Sequence, residues 1–170
     1  AGMLSQAGKD GIAFAPTVPM ALRGPAPVTS YAPSALPDAN EDLMLRVQQL
    51  YANDAQLHAL WSAALEARGM AGGMEGKPKR QDPGEGGRMA AAFLARPDGP
   101  RIAMIETGGW DTHTGQMGRL ASQLRNLDSL VAGLRDGLGA TWEQTVLLVA
   151  TEFGRTAAAN GAGGADHGAG

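Results

Sequence analysis

Two acid–histidine pairs, Asp111-Thr112-His113 and Asp166-His167, take up two of the three histidines in this chain. Asp111 and His113 are two apart. In extended backbone, residues i and i+2 point to the same side, so both side chains can reach one cation. A carboxylate oxygen beside an imidazole nitrogen suits zinc, manganese or iron better than calcium, which prefers all-oxygen sites. The competing reading is structural: Asp111 caps a turn and His113 donates to a carbonyl. Spacing alone leaves the two open. Adjacent side chains such as Asp166 and His167 point apart in a regular strand, but the glycine-rich stretch NGAGGADHGAG frees the backbone to turn both to one side. Glu152 directly follows an apolar run, where an unpaired charge is costly. It needs a cation, and either Arg155 or a metal would serve. Asn160 stands ready to hold the loop or to contact a substrate.

These residues need a frame that brings them together. Two continuous apolar runs, Arg101–Glu106 and Thr145–Ala150, flank one amphipathic segment. Continuous Ile, Val and Leu suit strands buried on both faces of a parallel sheet. In the segment between, Met117, Leu120, Leu124, Leu127, Val131, Leu134 and Leu138 recur in steps of three and four, one apolar stripe of a helix. Thr114 is placed to cap its start, and Gly137 and Gly139 to stop it. The expectation is a right-handed β-α-β unit. Ligands of open α/β sheets bind outside the carboxyl ends of the strands, so Glu106, Asp111 and His113 would share a rim with Glu152 and Arg155. Asp111 and His113 would also lie just before a helix N-terminus, which favours an anionic substrate group.

The rest of the chain divides by composition. Residues 1–39 hold most of the prolines and read as an extended connection with one or two short strands. Residues 40–69 read as one helix: Asn40 is the N-cap, Glu41 and Asp42 suit the positive end, and Gly69 ends it. His58 on this helix reads as a packing histidine, because no second ligand type lies at ligand spacing. Residues 70–87 form a Gly-rich linker with Lys77, Lys79 and Arg80 exposed to solvent. Residues 88–170 form the β-α-β core with the acid–histidine motifs, opening on a short helix from Arg88 to Arg96.

Bulk properties exclude several classes. The chain has 170 residues, 44% hydrophobic and 18% charged, with net charge −3 and no basic run beyond GKPKRQ. Nucleic-acid binding has no support. With no cysteine, disulfides, thiolate zinc sites and Cys nucleophiles are out. No run reaches the ~20 apolar residues of a membrane span, so membrane insertion is not expected. No signal peptide is visible. The chain reads as an internal fragment of a longer protein.

GGWDTH, TEFGRT, the Asn160-Gly161 pair and DHG, in that order and spacing, resemble the domain-of-unknown-function 1501 family. PMALRGPAPVTSY and the helix starting near Asn40 extend the resemblance over most of the chain. Members of that family look like remote relatives of the alkaline phosphatase and sulfatase superfamily. The resemblance implies a doubly wound parallel α/β sheet of alkaline-phosphatase-like type, here partial, with divalent metals at the carboxyl rim. It implies hydrolysis or transfer of phosphate or sulfate esters, and an exported, periplasmic or secreted protein with a twin-arginine signal elsewhere. By resemblance Asp111, His113, Asp166 and His167 are metal ligands and Glu152 a rim acid; the expected catalytic residues are Glu152, as a further ligand or an acid beside the ligands, and Arg155, as an anion clamp. The metal would be zinc or manganese first, with calcium or magnesium as alternatives, and the partner a small anionic ester.

The sequence departs from the family where its loop usually reads GTGGTDHGTG. Here GAGGADHGAG leaves Ala162, Ala165 and Ala169 without hydroxyls to orient a ligand or bind an oxyanion. The region expected to carry the nucleophile lies outside these residues. The expected function is a metal-dependent hydrolase of phosphate or sulfate esters, and the alternative is a non-catalytic secreted binding module on the same fold.

Overall fold

Three short apolar runs make the sheet: β1 (Gly11–Phe14), β2 (Val28–Ser30) and β3 (Ile102–Ile105). The computed structural model describes residues 11–32, 39–71 and 82–168. Within them the protein is mixed α/β, with four α-helices and this three-stranded parallel sheet in the order β2-β1-β3. β1 lies in the middle, pairing Gly11 with Val28 on one side and with Ile102 on the other. Its Ile12 and Ala13 are 1% and 0% exposed, as expected of a strand covered on both faces. The Pro-rich first segment, expected to hold one or two short strands, holds two among its described residues.

The chain divides into two compact units, and the sheet belongs to the first. There an aromatic group closes over β1. Phe93 meets Phe14 edge-on at 5.5 Å and lies 5.1 Å from Tyr31. Phe93 is fully buried, and it comes from the last turn of α3 (Pro83–Leu94).

The single helix expected over 40–69 is two: α1 (Glu41–Tyr51) and α2 (Ala55–Ala71). Asn40 does cap α1, accepting from the Leu43 amide at 2.8 Å. Asp54, the one polar interruption of the apolar pattern, starts α2 as a second cap. Its carboxylate accepts from the amides of Gln56 and Leu57, both at 3.0 Å. Gly69 does not end α2, which runs on to Ala71. Tyr51 and Trp61 meet edge-on at 6.0 Å across the break, while Leu43, Leu50 and Leu60 are exposed. His58 is exposed too, so it is not the packing histidine expected from its position.

The second unit contains the first turns of α3 and the long helix α4 (Gln116–Leu138). α3 starts at Pro83 rather than Arg88, inside the expected linker. Proline suits the first helical position, and the Asp82 carboxylate accepts from the Gly84 amide at 3.0 Å. Its glycines are needed for close approach to α4. A methyl on Gly87 would strike the Leu130 carbonyl, and one on Gly133 would strike the Gly84 carbonyl. This crossing buries Leu130, Leu134 and Leu138, whereas Met117 and Leu124 of the same stripe stay exposed. Lys77, Lys79, Arg80 and Ala169 lie outside the described residues.

The β-α-β unit is not formed. Thr145–Ala150, expected as the second buried strand, pairs with no strand among the described residues. Val146 and Leu148 are 93% and 84% exposed. An apolar run is a strand only where a neighbour satisfies its backbone. Among the described residues no helix is long and apolar enough to cross a membrane.

Candidate functional site

The loop between β3 and α4 carries GGWDTH, and its path is set by Gly109. That residue has φ +85°, where side chains are strained, and a methyl there would collide with the Gln123 amide. Gln123 holds the turn from α4, donating to the Gly108 carbonyl at 2.8 Å. Thr112 is 2% exposed, which anchors the loop between two half-exposed ligand-type side chains, Asp111 and His113. Gly115, at φ 57°, caps α4 in place of Thr114. The Gly115 and Gln116 amides donate to the carbonyls of Ala162 and Gly163. Amides expected to favour an anionic substrate are thus taken by the glycine-rich loop.

The other half of the cluster stands on a two-stranded antiparallel ribbon, β4 (Gly154–Arg155) with β5 (His167–Gly168), in which Arg155 pairs with His167. Beyond the ribbon, the Thr156 amide donates to the Asp166 carbonyl at 3.0 Å and the Asp166 amide to the Thr156 hydroxyl at 3.2 Å. Asn160 ties the loop inward. Its Nδ2 donates to the His113 carbonyl and to Asp166 Oδ1, both at 3.0 Å. Its Oδ1 accepts from the Ala162 and Gly164 amides at 2.9 and 3.1 Å. Gly164 lies flat against the Thr112 and His113 backbone, where a methyl would strike both carbonyls.

These contacts bring the two acid–histidine pairs together. Asp111 Oδ1 meets His113 Nε2 at 2.9 Å, His167 Nε2 at 3.0 Å and Arg155 Nη2 at 2.9 Å. The other nitrogen of His113, Nδ1, lies 3.0 Å from Asp166 Oδ1. One ligand atom each from Asp111, His113 and His167 falls within 4.8 Å of the others. Hydrogen bonding from His167, then from Arg155, with the nearby charge of His113, holds the Asp111 carboxyl below the usual range. Asn160 first and His113 second do the same for Asp166.

Arg155 is the least exposed member, with its side chain at 20%. Beside Asp111 it donates to the Trp110 carbonyl at 2.9 Å and to the Ala165 carbonyl, clamping one loop to the other. Of the two partners weighed for Glu152, Arg155 or a metal, the first is not realised among the described residues, where Arg155 pairs with Asp111. Glu152 is exposed and makes no ion pair or hydrogen bond among the described residues, because no buried strand precedes it. Glu106 is likewise exposed and makes no ion pair or hydrogen bond with the cluster among the described residues.

Two participants escape sequence reasoning. Phe153 stacks on His167 at 4.2 Å and 19°, with the Arg155 guanidinium 5.0 Å above its ring. Its place between Glu152 and Arg155 in TEFGRT is the only signal, and it reads as ordinary packing. Gly164 is one of a run of loop glycines, and nothing in the sequence separates it from its neighbours.

A family model described as a protein of unknown function, DUF1501, matches residues 31–170. No curated protein and no solved structure matches the chain.

Proposed function

The chain belongs to the DUF1501 family, and from its acid–histidine cluster we propose an exported, metal-dependent hydrolase of phosphate or sulfate esters. The observation that carries the reading is the meeting of ligand atoms from Asp111, His113 and His167 within 4.8 Å. One carboxylate oxygen and two imidazole nitrogens fit a divalent transition metal and are a familiar three-ligand set for catalytic zinc. Nitrogen donors disfavour calcium and magnesium, which leaves zinc or manganese as the first choice. All three side chains are about half exposed, so further coordination positions stay open to a substrate.

Asp111, His113 and His167 would hold the cation, which supplies Lewis-acid stabilisation of charge on a transferring phosphoryl or sulfuryl group. Arg155 sets the Asp111 carboxylate in place and adds positive charge beside the site, which suits an anionic ester. With Nη1 and Nη2 engaged by Asp111 and two carbonyls, Arg155 positions the site rather than gripping the substrate. Glu152, outside the cluster, has no assigned step. The alkaline-phosphatase-like type of sheet and the periplasmic or secreted setting belong to the same proposal. The order of GGWDTH, TEFGRT and DHG supports the former, and export rests on the family resemblance alone.

The test is elemental analysis of the purified protein together with assays on aryl phosphate and aryl sulfate esters. Stoichiometric zinc or manganese and ester turnover are expected, and His113→Ala should lose both. Unchanged hydrolysis in that variant would overturn the proposal. The binding-module reading draws on one observation: Thr156 commits its hydroxyl to the Asp166 amide and the Ala158 carbonyl, and Thr112 is buried. Stoichiometric metal without turnover on either ester class would favour that module.

A further inference from the structure

We infer that Phe153 is a positioning residue: its ring lies flat on the His167 imidazole and keeps Nε2 turned to Asp111 Oδ1, where the proposed cation would be shared with His113. This rests on the proposed metal site and goes further, by naming the group that holds the less tethered of its two histidines.

The two imidazoles of the cluster are secured differently. His113 has a carboxylate oxygen at each ring nitrogen, Asp111 Oδ1 at 2.9 Å from Nε2 and Asp166 Oδ1 at 3.0 Å from Nδ1. His167 has one such contact, Nε2 to Asp111 Oδ1 at 3.0 Å, and its Nδ1 makes no hydrogen bond among the described residues. Its side chain is half exposed. The torsion that turns a histidine ring has broad minima, so one contact leaves the plane free to swing. Metal-binding histidines are commonly fixed through their second nitrogen. Here another group must do it.

The neighbouring rings take that place. Phe153 immediately precedes β4, two residues before Arg155, and Arg155 pairs with His167. Across an antiparallel pair, a diagonal neighbour is within reach of an aromatic side chain. The Phe153 ring centroid lies 4.2 Å from that of His167, with the planes 19° apart. His113 stacks on the same imidazole at 5.0 Å and 29°. Phe153 and His113 make no ring contact with each other among the described residues, so they take different faces of His167. Swinging the imidazole out of this stack forfeits contact on both faces. The restraint acts on the ring plane, whichever nitrogen carries a proton.

Phe153 is itself held. The Arg155 guanidinium lies 5.0 Å over its ring, and Arg155 is fixed in turn by Asp111 Oδ1 and the carbonyls of Trp110 and Ala165. One anchored guanidinium thus secures the carboxylate ligand directly and an imidazole ligand through Phe153.

Two measurements test this. In the unsubstituted, metal-free protein, nuclear magnetic resonance should show Overhauser contacts between the imidazole protons of His167 and the Phe153 ring. Protons above an aromatic face shift upfield, so those of His167 should also lie upfield of those of the exposed His58. Zinc titrations of the full chain then compare variants whose folding is checked by urea unfolding. Phe153→Leu keeps apolar bulk without a flat face and should weaken zinc binding by about tenfold. Phe153→Tyr and Phe153→Trp keep a face, and at least one should bind zinc as the unsubstituted protein does. The inference is overturned if the Overhauser contacts are missing, or if both aromatic variants lose as much affinity as Phe153→Leu. Should Phe153→Leu fail to fold, the Overhauser contacts and the aromatic variants still decide. Unchanged zinc binding in a folded Phe153→Leu protein sinks this inference alone, whereas an unsubstituted protein that binds no zinc sinks the proposed metal-dependent function with it.

Discussion

The parallel sheet and the acid–histidine cluster are built by opposite means. β1 is held by removal of apolar surface from water, with Ile12, Ala13 and Phe93 essentially unexposed. The cluster is made of half-exposed polar groups joined through named atoms: Asp111 Oδ1, His113 Nδ1 and Nε2, and the Asn160 amide. Burial is non-directional and roughly proportional to area, so the sheet should tolerate exchange among apolar residues of similar size. Hydrogen bonds and close backbone contacts are directional, and the cluster should not tolerate even an added methyl where two segments touch.

That contrast can be broken in three places. The largest loss of stability is expected from Phe93→Ala, which empties the space against Phe14 and Tyr31. It should cost about 3–5 kcal/mol, a large share of the ~5–15 kcal/mol that holds a typical domain. Urea unfolding would read this, and a midpoint within error of the unsubstituted protein would show that the aromatic group does not support the sheet. Gly164→Ala should do less to overall stability and more to the cluster. Its new methyl would push the glycine-rich loop away from the Thr112 and His113 backbone. Zinc affinity should fall by about tenfold or more, as for loss of a group that orients a ligand. An unchanged zinc titration in a folded Gly164→Ala protein would show that the loop contact does not position His113. The smallest effect is expected at Leu148→Ser, on the run that did not become a strand. Since Leu148 is 84% exposed, its replacement should change stability by no more than about 0.5 kcal/mol. A loss of several times that would show Thr145–Ala150 to be buried in the folded protein after all.

Much of the local structure was legible. The apolar run of β3, the cap at Asn40 and the span of α4 all arise from patterns within a few turns of chain. The break between α1 and α2 has its own local mark at Asp54, a polar residue in the apolar series whose side chain competes for the amides of a new helix. The site residues were legible by type. Asp111, His113, Asp166, His167 and Arg155 do meet, but through a β4–β5 ribbon and a glycine contact rather than at the shared end of two parallel strands. Strands as short as β4 and β5, in segments rich in Gly and Ala, carry no period for a pattern to detect.

The amino-acid sequence alone determined which chemistry is available, since donor types are a property of side chains: carboxylates and imidazoles, with no thiol. It also determined the start of α1, because the Asn40 cap is local, and the extent of α4, because its apolar period is local too. Only the tertiary structure decided which apolar run pairs into the sheet, as pairing depends on a neighbour supplied from far along the chain. It alone decided that Glu152 stands apart while Asp166 sits on the second nitrogen of His113. The physical reason is the same in both cases: a contact made at 3.0 Å between residues 53 positions apart leaves no trace in the spacing of either.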